Sequence, residues 1–261
     1  MQNNSTRLHT ENLAIGYPTK NGSKTLFDSI TIELKAGKLI ALVGENGIGK
    51  STLLKTISGL LKPISGTVFV NNKNINTYKS IELAQEMSLV LTEKLPPSNL
   101  TIYEIIALGR QPYTNWLGVL TEEDQIKIEK AIDFTGIREI CDKKHDEVSD
   151  GQLQIALITR ALAQDTTLII LDEPTTHLDL VHKAKLLKLL QKLTHDLDKT
   201  ILFSTHDIDL AIQMCDEMIV CTKNKVQQNI PCNFIESGIF NSLFSSEHLN
   251  FDAKIGKYKI I

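Results

Sequence analysis

Eight consecutive residues, Gly44-Glu45-Asn46-Gly47-Ile48-Gly49-Lys50-Ser51, constrain the fold of this chain more than any other feature. They fit the pattern G-x-x-x-x-G-K-[ST]. The apolar run Leu39-Ile40-Ala41-Leu42-Val43 stands directly before them and has the length and composition of a buried strand. A helical pattern, Ser51 to Ser58, follows. Strand, glycine-rich loop and helix N-terminus in this order make a phosphate site. The glycines let successive N–H groups turn inward, and the helix end adds partial positive charge. Lys50 is expected to reach β- and γ-phosphates, and the Ser51 hydroxyl to ligate Mg²⁺. The bland alternative is a glycine turn between a core strand and a core helix.

The chain has 261 residues, enough for one large domain or a domain with a subdomain. Hydrophobic and charged contents of 42% and 23% are those of an ordinary soluble protein. A net charge of −3 gives no global pointer to nucleic acid or to an anionic membrane. Cys141, Cys215, Cys221 and Cys232 have no metal-site spacing and read as plain thiols in a reducing compartment. The polar start, Met1 to Ser5, carries no signal-peptide core. The most apolar candidate for a membrane span, 102–120, is interrupted by Glu104 and Arg110. A cytoplasmic location is expected, with any membrane role acting through a partner.

Short extended patterns alternate with helical ones. Residues 7–33 read as strands with a turn at Asn21-Gly22. Gly66 to Val70, Ser88 to Leu91, Leu168 to Leu171 and Ile201 to Ser204 read as further strands. From Ile102 to about Gln164 the pattern is helical, and leucines at 186, 187, 189, 190, 193 and 197 mark an amphipathic helix. The tail after Val226 reads as less regular. The expectation is an α/β core around a mostly parallel sheet, with a helical insertion at about 95–165 and ligands at the carboxyl ends of the strands.

Three motifs follow the loop. Leu168-Ile169-Ile170-Leu171-Asp172-Glu173 is a hydrophobic strand ending in acids. Asp172 can hold Mg²⁺ and Glu173 can orient and deprotonate a water at the γ-phosphate. His206 lies just beyond another strand, where an imidazole could hydrogen-bond the γ-phosphate. Ser149-Asp150-Gly151-Gln152 opens a helix, as an anion site or a simple cap.

This ordered set resembles the ATP-binding cassette (ABC) ATPase family, over about Leu8 to Val226. The resemblance implies a P-loop NTPase (RecA-like) core with an N-terminal antiparallel β subdomain and a helical insertion, spanning 7–226, with 227–261 as a tail. It assigns Tyr17 to stacking on adenine and Gly44 to Thr52 to ATP. Lys50, Glu173 and His206 become the catalytic set, and Ser51, Asp172 and Thr92 the Mg²⁺ ligands. Ser149, Asp150, Gly151 and Gln152 match the signature that meets a partner's ATP, and Asp179 lies in the D-loop. Gly109-Arg110-Gln111-Pro112-Tyr113 resembles the importer ATPases for iron–siderophore, heme and cobalamin. The implied assembly is a head-to-tail homodimer on two integral-membrane permease subunits. An extracytoplasmic substrate-binding protein completes it, and no nucleic acid is involved. The ATPase would sit on the inner face of the cytoplasmic membrane through the permease.

Two positions depart from the family pattern. Thr92, then Glu93, stand where a glutamine is usual, and either could serve the metal. Asp150 stands where glycine is usual, favouring the helix while adding negative charge near a phosphate. A soluble ABC-type mechanochemical ATPase and the ATPase of another transporter class are the alternative readings.

Overall fold

The run before the glycine loop is a strand whose alternation sets the architecture. Leu39, Ala41 and Val43 enter one buried cluster, and Ile40 and Leu42 enter another. A strand apolar on both faces must be covered on both, as in a parallel sheet. The computed structural model describes residues 5–19, 22–92, 96, 98–176, 178–223, 225–243 and 249–260.

The chain opens with β1 (Thr6–Thr19), β2 (Gly22–Ile30) and β3 (Glu33–Lys35), then reaches the central β4 (Leu39–Gly44). Thr19 pairs with Gly22 across the β1–β2 turn, whose Asn21 lies outside the described residues. Helix α1 (Lys50–Ile57) follows the glycine loop. Next come β5 (Ser65–Val70), β6 (Lys73–Asn74), α2 (Ser80–Glu86) and β7 (Met87–Val90). The first sheet is antiparallel, in the order β2-β1-β5-β6, with β3 also on β1.

The expected helical stretch contains α3 (Ile102–Ala107), a 3₁₀ segment (Leu108–Tyr113), α4 (Glu122–Thr135) and α5 (Asp150–Ala163). Local chemistry starts and stops them. Thr121 caps α4 by accepting from the Asp124 N–H at 3.2 Å, while Asp124 Oδ2 accepts from the Thr121 N–H at 2.9 Å. In the Gly109-to-Tyr113 motif, Gly109 and Arg110 are buried in this subdomain, while Gln111 and Tyr113 reach its surface. Arg110 is buried, donates to Asp124 Oδ1 at 2.8 Å and to Ala163 O at 3.0 Å, and stacks on Tyr113 at 3.9 Å.

The chain then re-enters the main sheet with β8 (Leu168–Leu171), α6 (Leu180–His195), β9 (Thr200–Ser204), α7 (Ile208–Met214) and β10 (Glu217–Cys221). The strand order is β11-β10-β4-β9-β8-β7, with β11 (Val226–Asn229) as an antiparallel edge on five parallel strands. One face carries the helices, and the other packs against α1 and the antiparallel sheet.

The tail is more regular than its sequence suggests. It forms α8 (Pro231–Glu236), α9 (Ile239–Leu243) and a hairpin of β12 (Leu249–Asp252) and β13 (Lys257–Ile260). Phe234, Phe240 and Phe251 are buried together in the main core. Elements of four to six residues leave little periodicity to read. No described helix is long and apolar enough to cross a membrane.

Candidate nucleotide site

The carboxyl ends of β4, β8 and β9 lie side by side and deliver the candidate residues to one edge of the sheet. The glycine loop turns from β4 into α1 through conformations that side chains resist. Gly47 has φ 75° and Gly49 has φ 122°. A Cβ on Gly49 would also press within 3.3 Å of Leu26 and Phe27 atoms. No side chain caps α1, so its first N–H groups remain available to an anion.

Lys50 curls back over the loop, buried, with Nζ donating to Gly44 O at 2.9 Å and Glu45 O at 3.2 Å. Burial pushes its pKa down from the ordinary lysine value, and nearby Glu173 and Asp172 act in the opposite sense. An ammonium held this way gains when a polyphosphate arrives. The Ile48 side chain is partly buried and packs against the core beside the loop.

Asp172 leaves β8 buried and collects three hydroxyls. Ser204 donates to Oδ1 at 2.6 Å and Ser51 to the same oxygen at 3.2 Å. Thr92 donates to Oδ2 at 3.2 Å. Two of the three expected Mg²⁺ ligands, Ser51 and Thr92, therefore meet on the third, Asp172. Glu93, the other candidate at that position, lies outside the described residues. This donor set suits Mg²⁺, which takes few protein oxygens and completes its shell with water and substrate phosphate.

Glu173 stands in the left-handed region at φ 47°, rare for this residue type. Its Oε2 accepts from Thr176 Oγ1 at 3.2 Å and lies 3.7 Å from His206 Nδ1. His206 follows β9, and the adjoining Asp207 is tied to Lys183 of α6 at 2.8 Å. Tyr17, on β1, bonds its hydroxyl to Thr52 Oγ1 and keeps its ring half-exposed. Tyr17, Asn46, Gly47, Gly49, Lys50, Ser51, Thr52, Glu173 and His206 line one open cleft of about 390 Å³.

The remaining candidates lie outside that cleft. Ser149 caps α5, accepting from the Gln152 N–H at 3.3 Å while Gln152 Oε1 accepts from the Ser149 N–H at 3.1 Å. Ser149 and Asp150 are exposed. A Cβ on Gly151 would lie 3.3 Å from Leu178, so the start of α5 abuts the turn that leads to Asp179. Asp179 caps α6 with Oδ1 on the His182 N–H at 2.9 Å and Oδ2 at 2.8 Å from the His182 ring. The bond from the His182 main chain, then that from its ring, hold the Asp179 carboxyl below its usual pKa.

Sequence reasoning passed over Ser204 and Thr176, which grip the two acids. The available signal was a small hydroxyl residue closing an apolar strand, and a threonine three residues after the glutamate.

The ABC transporter family profile matches residues 27–176, and a shorter match, to an AAA domain, spans 144–212. An uncharacterized ABC transporter ATP-binding protein of Methanocaldococcus jannaschii is 39% identical, covering 97% of this chain and 86% of its own. The iron(3+)-hydroxamate import ATP-binding protein of Bacillus subtilis is 37% identical over 84% of this chain and 80% of its own. Among solved structures, an inward-facing ABC transporter assigned to the metal-chelate type superposes with a TM-score of 0.79. It has 27% identity and covers 92% of this chain and 89% of its own. A bacterial ABC transporter cassette solved as a dimer gives 0.74 at 26% identity, covering 86% and 98%.

Proposed function

The chain belongs to the ABC transporter family as an ATP-binding, ATP-hydrolysing subunit, and from that premise we propose that it energises an importer of iron chelates. The observation that carries this reading is the cleft that gathers Lys50, Ser51, Glu173 and His206, in a chain 37% identical to an iron(3+)-hydroxamate import subunit. Iron chelates, rather than heme or cobalamin, are proposed as the cargo because the relative described above with a named cargo is an iron(3+)-hydroxamate import subunit.

In this reading the free N–H groups of the loop and Lys50 bind the β- and γ-phosphates, and Tyr17 offers its ring to adenine. Ser51, Asp172 and Thr92 would hold Mg²⁺, which when bound neutralises the triphosphate and polarises the γ-phosphoryl group. Glu173 orients the attacking water and accepts its proton. His206, held within 3.7 Å of that carboxylate, hydrogen-bonds the γ-phosphate and senses its loss.

The signature residues Ser149 to Gln152 and the D-loop residue Asp179 lie outside the cleft, which supports a head-to-tail dimer. In it, Ser149 and Gly151 would reach the partner's γ-phosphate. ATP binds the closed dimer better than the open one, and this difference drives the attached permease subunits. For the permease we propose the apolar face where α2 meets the segment after α3. There Ile81, Leu108 and Trp116 are exposed, and Gln85 Nε2 bonds Pro112 O at 2.9 Å. An extracytoplasmic binding protein would deliver cargo, and the ATPase would sit on the inner membrane face.

Affinity purification of the tagged full chain from gently solubilised membranes tests the assembly. A polytopic permease at one-to-one stoichiometry is expected; ribosomes or DNA without a permease would refute the importer. For the chemistry, Glu173→Gln is expected to keep ATP affinity and lower kcat by ~10²–10⁴. Wild-type turnover in that variant would exclude Glu173 as the base.

A further inference from the structure

All five residues of β9 are buried, and the last, Ser204, has no exposed surface. A hydroxyl sealed at the end of such a strand is destabilising unless it is hydrogen-bonded. Ser204 finds two partners of opposite kind. It donates to Asp172 Oδ1 at 2.6 Å and accepts from the Glu173 N–H at 2.8 Å. One donor and one lone pair are thereby used, which fixes the hydroxyl rotor.

Strand register creates this arrangement. Leu171 pairs with Phe203 in the parallel β8–β9 ladder, so the next residues, Asp172 and Ser204, lie side by side. On its other side Ser204 pairs with Leu42, two residues before the glycine loop opens. Ser204 thus links three strand ends that carry the site.

The two bonds restrain different things. The bond to Asp172 Oδ1 limits rotation of a carboxylate that must present oxygen to a cation. The bond from the Glu173 N–H supports a backbone held at φ 47°, a conformation that persists only when its surroundings enforce it. Glu173 can be aimed at a water only while that turn is held.

We propose that Ser204 is a positioning residue for ATP hydrolysis, its buried hydroxyl setting the orientation of both Asp172 and Glu173. The inference rests on the roles proposed above for those two acids. Ser204 touches neither nucleotide nor water in this scheme, so its loss should slow turnover without weakening the binding of ATP measured in the absence of Mg²⁺.

The test compares Ser204→Ala, Ser204→Thr and Glu173→Gln in the full chain, by steady-state ATPase kinetics, calorimetric ATP affinity and thermal melting. Ser204→Ala is expected to lower kcat about 10- to 100-fold, as for loss of a bond to a charged group. Kd for ATP without Mg²⁺ should stay within about twofold, since no group that touches the nucleotide is removed. Ser204→Thr, which keeps the hydroxyl and suits a strand, should restore most of the rate. Where the alanine variant does not fold, Ser204→Cys carries the same expectation, because its thiol is only a weak donor.

Glu173→Gln separates two failures. If it turns over ATP like wild type, the reading of Glu173 fails, and the Ser204 proposal with it. If it is inactive while Ser204→Ala keeps wild-type kcat, only the Ser204 proposal is overturned. A parallel loss of kcat and of Mg²⁺-free ATP affinity in Ser204→Ala, or a threonine variant no better than alanine, overturns it as well.

Discussion

Arg110 is the side chain whose replacement gives the sharpest prediction. Its guanidinium is sealed inside the helical subdomain, 4% exposed, against an Asp124 that is 2% exposed. The pair is joined at 2.8 Å, and Nη1 also closes the end of α5 on Ala163 O and Gln164 O at 3.0 and 3.3 Å. Arg110→Met keeps the apolar stem and removes the charge, stranding a buried carboxylate. Breaking a buried pair this way costs about 3–5 kcal/mol. Asp124 keeps its bonds from the Thr121 main chain and hydroxyl, so the lower end applies, about 3 kcal/mol. For a chain of this size that is a fall in Tm of about 6–12 °C.

Acid provides an internal control. Burial raises the Asp124 pKa, but the Thr121 bonds and Arg110 outweigh it and hold the carboxyl below its ordinary 3.8. Stability from that depressed pKa is present above the ordinary value and is lost as pH falls through the native one. In Arg110→Met the carboxylate lacks its cation and gains from protonation. The gap between wild type and variant should therefore be widest near neutrality and narrow below about pH 4. Adding Asp124→Asn, which keeps an acceptor for Thr121, should recover more than half of the loss at neutral pH. Melting followed by circular dichroism measures all three. A neutral-pH Tm within about 1 °C of wild type for Arg110→Met, or a gap that does not close in acid, would refute this account of the pair.

Three other substitutions test separate parts of the molecule. Lys50→Met should abolish calorimetric ATP binding and nucleotide-induced stabilisation while leaving the free protein's Tm unchanged or higher, since a buried ammonium is removed. Asp150→Gly should cost about 1 kcal/mol from the first turn of α5. Light scattering in the Glu173→Gln background should then show unchanged ATP-driven dimerisation; tighter dimers would mean that the carboxylate opposes the partner's phosphate. Phe251→Ala should cost about 3–5 kcal/mol in urea unfolding, and a near-neutral result would mean that the tail is not part of the main core.

Legibility from sequence followed the range of the interaction. The strand at 39–43 and the loop glycines could be read because alternation and positive φ are local properties. Asp172, Glu173 and His206 could be read because each follows a buried run, and the carboxyl ends of parallel strands share an edge. Ser204 required knowing that β8 and β9 are neighbours in register, a long-range fact no local pattern contains. Arg110 was noticed for its motif, yet its partners, Asp124 and the end of α5, emerge only from packing. The tail was missed because its core is three phenylalanines spread over 234–251 between very short elements.

The placement of Ser149 away from the cleft has a genetic consequence. In the head-to-tail pair proposed above, each copy would lend its loop to one nucleotide and its α5 start to the other. A copy defective at Lys50 spoils the pocket of its own loop, and a copy defective at Ser149 spoils the pocket of its partner's loop, so a pair of identical defective copies has no sound pocket. Mixed together, the two lesions fall into the same pocket and leave the other whole. Two inactive alleles should therefore complement when co-expressed, whereas two alleles altered in the same half should not. The residual activity of the mixed pair would then report whether one working pocket is enough to move cargo.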